Sequence, residues 1–284
     1  MKSRMTHFIK PINITVCADD YAQNSAISEG ILSLAEKGRI SATSCMVNSI
    51  CWRESSQALH PIQSNLYVGF HFNLTHGEPL SASWKNNYGT QFPGMPWVLR
   101  QACLRRLKRE IVAAELQAQL DAYTQAMNAW PDFIDGHQHI HQLPVIREVL
   151  LDGYARRMSD RPIRKTSQSW LDVFSLDGVP KRQLLALLGG LAFQKRLSQM
   201  KLPTNTSFSG IYNFNQAKNY RRFFQQFLKH SLDGGLIMCH PGNLSDDMHD
   251  PLYASRHAEL DYFISDEYLS DLASHSCQLT RKEV

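Results

Sequence analysis

A short β-branched run, Ile12-Asn13-Ile14-Thr15-Val16-Cys17-Ala18, is followed by a helical pattern and then by a second apolar run, Ile40 to Val47. This alternation constrains the fold more than any other feature, because parallel strands need a crossover between them and a helix supplies it. The crossover is well marked. Asn24 or Ser25 caps it, Ile27, Ile31, Leu32, Leu34 and Ala35 recur at helical spacing, and Gly38 stops it. Asn65 to Leu74 predicts a third strand, Leu104 to Trp130 a long amphipathic helix, and the stretch from Asp132 a further strand running into a loop. Beyond it come a helix (Val145 to Ala155), a strand (Pro162 to Ser167), a helix (Leu184 to Met200) and a strand (Phe208 to Phe214). A helix (Arg221 to His230), a last strand at Gly234 to Cys239 and a closing helix (Glu259 to Ala273) complete the chain. With no linker or repeat in 284 residues, one α/β domain covering 1–284, with its core at about 12–275, is the economical reading.

Composition narrows the classes. Hydrophobic residues make up 43% and charged residues 20%, which excludes a disordered chain. The net charge of +4 is scattered. Its densest run, Arg100 to Arg109, reads as a solvated helix face, so no nucleic-acid partner is expected. The six cysteines form no CxxC pair and no disulfide framework. The first ten residues lack the apolar core of a signal peptide, and no run of about 18 apolar residues could span a bilayer. A cytoplasmic protein without membrane contact is the expectation.

Chemistry collects where strands become loops: Asp19-Asp20, His71, the alternate histidines His137, His139 and His141, and His240. Ligands bind at the carboxyl ends of parallel strands because loops converge there. Each signal has a plainer reading. A lone histidine is commonly a satisfied buried one, and Asp19-Asp20 could simply favour a helix dipole. Alternate histidines match the strand period of two rather than any helical spacing, which would aim one or more imidazoles into a common cavity. The remaining histidines, His60, His76, His230, His249, His257 and His275, read as surface or capping residues. The segment Leu80 to Pro96 reads as a long polar loop bearing Trp84, Tyr88 and Phe92, with Trp97 next to it: either a substrate-covering lid or packed irregular surface.

Ala18-Asp19-Asp20-Tyr21, Gly69-Phe70-His71-Phe72-Asn73-Leu74-Thr75, Asp135-Gly136-His137-Gln138-His139-Ile140-His141 and Cys239-His240-Pro241-Gly242 resemble the motifs of the YdjC-like carbohydrate deacetylases, which include chitooligosaccharide and hopanoid-associated deacetylases. The resemblance runs from about Ile14 to the last helix. It implies a distorted (β/α) barrel of mostly parallel strands, with the site at the strand C-terminal ends. It also implies one divalent metal held by Asp20, His71 and His137, with Asp19 as general base and His240 as the acid that protonates the departing amine. By the same resemblance His139, His141 and Tyr212, in Ser209-Gly210-Ile211-Tyr212, line the substrate site, and a homodimer is implied. Trp84 and Trp97 are expected to stack on a sugar ring. The substrate so implied is an N-acetylated amino sugar or chitooligosaccharide that loses acetate. One departure stands out: Tyr21-Ala22 where the family usually has Phe-Gly, of which Ala22 for glycine bears on the turn.

The chemistry is coherent by itself. A metal with three protein ligands keeps a position open and can bring the pKa of bound water to about 7. Two imidazoles and a carboxylate suit Zn²⁺ or another transition ion such as Mn²⁺ or Co²⁺, and Mg²⁺ also fits. A two-metal phosphoester hydrolase would need more carboxylates, and a silent sugar-binding protein would need none of this machinery.

Overall fold

The strand β1 (Ile12–Tyr21) is the centre of the molecule and is buried along nearly its whole length. In the computed structural model, which describes residues 10–157, 160–166, 181–245 and 250–282, it pairs on one side with β2 (Ala42–Cys45) and on the other with the strand Gly235–Cys239. Helix α1 (Ser25–Glu36) makes the first crossover. Asn24 caps it by accepting a hydrogen bond from the Ile27 amide, and Gly38 ends the segment at φ +62°. Next come α2 (Trp52–Leu59), β3 (Tyr67–Phe72), α3 (Ala82–Tyr88), α4 (Met95–Cys103), α5 (Arg109–Met127) and β4 (Ile134–Gly136). A 3-10 turn (His137–Gln142), α6 (Ile146–Arg157) and α7 (Lys181–Gln199) lead to β5 (Phe208–Ser209) and a second 3-10 turn (Phe214–Asn219). The chain finishes with α8 (Tyr220–Lys229), β6 (Gly235–Cys239), α9 (Tyr253–Ile264), α10 (Asp266–Ser274) and β7 (Cys277–Leu279).

Strand order is β4-β3-β2-β1-β6-β5, with β7 also against β1, and every pairing is parallel. The ends of this sheet curl toward each other. Ile134 bridges Ile163, the Ile163 amide reaches the Pro203 carbonyl, and the Asn205 side chain clasps the Lys165 backbone. The result is a single α/β domain whose parallel strands form a distorted, incomplete barrel.

Several elements differ from the sequence reading. The segment expected as a polar loop holds α3 and α4. Ser81 caps α3, and Trp84 is fully buried against Tyr88 and Phe92, so it cannot stack on a sugar. Trp97 is half-buried against Tyr88. The long amphipathic helix begins only at Arg109, and α2 and β7 are further elements that the sequence pattern does not mark. The closing helix is two helices, because Ser265 turns to an extended conformation between them. The expected strand at 162–167 is a single bridge at Ile163; its last residue, Ser167, lies outside the described residues, as do His249 and residues 1–9. In the basic run, Arg105 and Arg109 pair with Glu148, and Arg109 also with Asp152, as a solvated face would. His230 and His275 do cap helices, each ring nitrogen on the carbonyl four residues back.

Candidate metal centre

Asp19 and Asp20 lie in an irregularity of β1. Ala18 is opposite Thr43 and Tyr21 opposite Cys45, so β1 carries one residue more than β2 over this stretch. Such a bulge re-aims side chains that strict alternation would send to opposite faces. Asp20 takes φ +67°, a left-handed conformation that aspartate tolerates better than most residues. Ala22 takes φ +71°, so the turn that glycine makes freely is kept here at a cost of about 1 kcal/mol.

His71 comes from β3. Its cross-strand neighbour on β4 is Asp135, and this register explains their contact: His71 Nδ1 lies 2.6 Å from Asp135 Oδ1. The carboxylate therefore holds the Nδ1 proton and leaves Nε2 as the outward atom. Ser44 donates to the same Asp135 oxygen. His71 Nε2 is 3.5 Å from Asp20 Oδ1, and His137 Nδ1 is 2.9 Å from that oxygen. One ligand atom from each of Asp20, His71 and His137 lies within 4.8 Å of the others. Two atoms each about 2.0–2.1 Å from one ion would stand roughly 3–4 Å apart, so the three fit a shared cation.

The alternate histidines do not share a strand face. β4 ends at Gly136, and His137–Gln142 is a 3-10 turn broken by left-handed Gln138 and His139. His137 alone reaches Asp20. His141 is fully buried, its Nε2 donating to the Arg164 carbonyl at 3.0 Å and its ring on Phe193, so it supports Arg164 rather than lining an open cavity. His139 is 9% exposed and packs on Phe208. Tyr212 is buried, and its hydroxyl donates to Glu259 Oε1 at 2.6 Å.

Three residues that the sequence did not single out complete the network. Arg164 forks onto Asp19, Nη1 to Oδ2 at 2.6 Å and Nη2 to Oδ1 at 2.7 Å, and its Nη2 lies 2.6 Å from Asp135 Oδ2. Cys17, Asp19 and Asp135 also cluster like metal ligands, but the Arg164 guanidinium stands among them, 3.1 Å from Cys17 Sγ, and supplies the positive charge. Arg256 donates to Asp20 Oδ2 at 2.8 Å, and Glu259 accepts from the His240 amide. The only available signal was a charged residue inside an expected strand, at Arg164. Nothing in the helical pattern marked Arg256 or Glu259.

Electrostatics favour a cation at Asp20. Four carboxylates, Asp19, Asp20, Asp135 and Asp250, face two guanidiniums, Arg164 and Arg256. Burial opposes a charge on His71, yet the Asp135 carboxylate beside it and the hydrogen bonds that His71 donates to Asp135 and Asp20 lift it to about 10. Burial likewise opposes the Asp20 anion, but Arg256 and His137 hold its carboxyl well below the usual range. A site that draws a proton onto a buried imidazole has room for a more highly charged ion in its place. Burial pushes His240 down to about 4, against the raising effect of Asp20 and Asp19, and its ring lies on Phe214. Burial raises Glu259 to about 7.

Comparison with known proteins identifies the family. The family described as YdjC-like protein matches residues 13–274. A carbohydrate deacetylase of Danio rerio is 30% identical over 159 residues, 55% of this chain and 49% of the relative. A chitooligosaccharide deacetylase of Serratia marcescens is 31% identical over 145 residues, 50% of this chain and 55% of the relative. This chain thus matches about half the length of these curated relatives. A crystal structure from Enterococcus faecalis V583, of a protein named for cellobiose-phosphate cleavage, superposes with a TM-score of 0.73 at 16% identity, over 96% of this chain and 98% of that one. That likeness speaks to the fold. With the family matched across the barrel and its site, the chain belongs to the YdjC-like family.

Proposed function

We propose that this protein is a metal-dependent deacetylase that removes the N-acetyl group of an amino sugar or chitooligosaccharide. The observation that carries the reading is the convergence of Asp20, His71 and His137 beside a separately held second carboxylate, Asp19. The names of the curated relatives supply the substrate class.

Asp20, His71 and His137 would hold one divalent ion. When bound, the ion polarises the acetyl carbonyl and lowers the pKa of a water. Asp19 is the general base. Its two-point pairing with Arg164 fixes the carboxylate plane while leaving further lone pairs on each oxygen free to accept a proton. His240 passes to the departing amine the proton that the attacking water loses to Asp19; burial disfavours its cationic form, and the nearby Asp20 and Asp19 favour it. His139, whose ring packs edge-on against Phe208, would contribute an imidazole to the substrate wall.

Arg164 also bears on the competing two-metal phosphoester reading. The second acidic group is filled by a guanidinium, which supports one ion per chain. All six cysteines are free, in keeping with a cytoplasmic enzyme, and no helix among the described residues is long and apolar enough to cross a membrane.

The test is acetate release from N,N′-diacetylchitobiose and longer chitooligosaccharides by protein stripped of metal and reloaded with Zn²⁺, Mg²⁺, Mn²⁺ or Co²⁺. Metal-dependent release is expected. No release with any ion, from protein that binds one, would reject the substrate class. His240→Ala with near-full turnover would reject the acid assignment.

A further inference from the structure

Helix α9 carries two buried charged residues one turn apart, Arg256 and Glu259, which therefore share a face. Each touches a different member of the site. Arg256 Nη2 binds Asp20 Oδ2 at 2.8 Å, while its Nε pairs with Asp250. Glu259 Oε2 accepts from the His240 amide, and its other oxygen is occupied by the Tyr212 hydroxyl. The loop that carries His240 is held on both sides: the Gly242 amide reaches the Arg256 carbonyl, and the Asn243 amide reaches the Ala26 carbonyl of α1. Gly30 permits that approach, since a Cβ there would stand 2.9 Å from the backbone of Gly242 and Asn243.

We propose that α9 is a bracket whose Arg256 restricts Asp20 to one metal-facing oxygen, Oδ1, and whose Glu259 sets His240 in register with it. Both are positioning residues. The inference rests on the reading of Asp20 as a metal ligand and His240 as the acid. A carboxylate free to rotate can present either oxygen or both to an ion. A charge-assisted hydrogen bond on Oδ2 withdraws that oxygen and fixes the plane of the group. Asp20 lies in the bulge of β1, at a left-handed φ of +67°, where regular strand pairing does not orient its side chain. Since Arg256 and Glu259 sit on one rigid helical turn, the ligand and the acid are referenced to the same element across more than two hundred residues of chain.

The experiment uses the full chain, stripped of metal, titrated with Zn²⁺ by calorimetry and then assayed for kcat and KM on N,N′-diacetylchitobiose. Arg256→Met should lower Zn²⁺ affinity by about 10–100-fold, and Arg256→Lys should recover part of the loss. Glu259→Gln should keep Zn²⁺ affinity and KM but lower kcat by about tenfold or more, as misplacing a reacting group does. Folded Arg256→Met with unchanged affinity, or Glu259→Gln with unchanged kcat, would overturn the bracket. If Arg256→Met fails to fold, Asp250→Asn, which removes only the second anchor of Arg256, should still cost several-fold in affinity; an unchanged value there overturns it equally. Failure of the underlying reading looks different, since the unmodified protein would then bind no Zn²⁺ at Asp20 at all.

Discussion

The half of the chain up to residue 142 and the part after residue 160 build the same site by different means. The first supplies candidate ligands from strand ends in chain order: Asp20 from β1, His71 from β3, His137 just past β4. The second supplies mainly restraints: Arg164 from a bridge segment, Arg256 and Glu259 from α9, with His240 following β6. The candidate ligands, nearly as buried as the restraints, must each keep one atom free to face an ion. Restraints are buried ions that must be met by an opposite charge or a hydrogen bond. That difference governs what removing each should do.

Removing a ligand breaks the first half of the comparison. His71→Ala should abolish tight metal binding and lower turnover about a thousandfold or more, since the charge stabilisation lost is several kcal/mol. The protein should remain folded, as metal analysis and circular dichroism would check. An active His71→Ala would remove the metal centre from the account.

Removing a restraint should act on stability first. Arg164→Met leaves Asp19 and Asp135 as buried carboxylates without their cation, a class of change that costs about 3–5 kcal/mol. For a domain of this size that lowers Tm by roughly 10 °C. Thermal melts read it directly, and an unchanged Tm would show that the Arg164 network is not what holds the two aspartates.

The histidines sharpen the contrast, because they titrate in opposite senses in metal-free protein. Burial holds His141 and His240 down to about 4 and keeps His139 below its usual value. The unfolded chain takes up those protons from about pH 6.5, so stability should fall as pH drops from 6.5 toward 4, by about 2 kcal/mol or more. His71, raised to about 10, adds nothing to that slope; its contribution is full below pH 6.5 and is lost as pH rises toward 10. Urea unfolding between pH 4.5 and 9 tests both limbs, and a flat acid limb would mean these imidazoles are not buried neutral.

An exposed arginine clamp should do almost nothing. Arg109→Ala removes pairs with Glu148 and Asp152 from a side chain that is 48% exposed. Tm should stay within about 1–2 °C, against roughly 10 °C for Arg164. A comparable loss at Arg109 would erase the distinction between buried and surface pairs.

The legible part of the site was the part that local sequence encodes. Strand runs ending in Asp19-Asp20, His71 and His240 marked where the barrel opens, and those residues do lie at strand ends. The histidine run misled, because alternate spacing suits a strand whereas Gly136 releases the chain into a 3-10 turn with two left-handed residues. Trp84 misled in another way. A helix capped by Ser81 folds it inward, and aromatic composition in a Gly- and Pro-rich segment does not reveal that.

The sequence by itself determined the parallel α/β order and the strand ends at which ionisable residues collect, because periodicity, capping and strand-end chemistry act over a few neighbours; the choice of Asp20, His71 and His137 among them rests on the family resemblance. The tertiary structure alone decided which partners fix them. His71 meets Asp135 through the β3–β4 register, Asp19 meets Arg164 across 145 residues, and Asp20 meets Arg256 across 236. Buried charges must be paired, but sequence does not say with whom: that follows from which surfaces the strands and helices bring together once water is excluded.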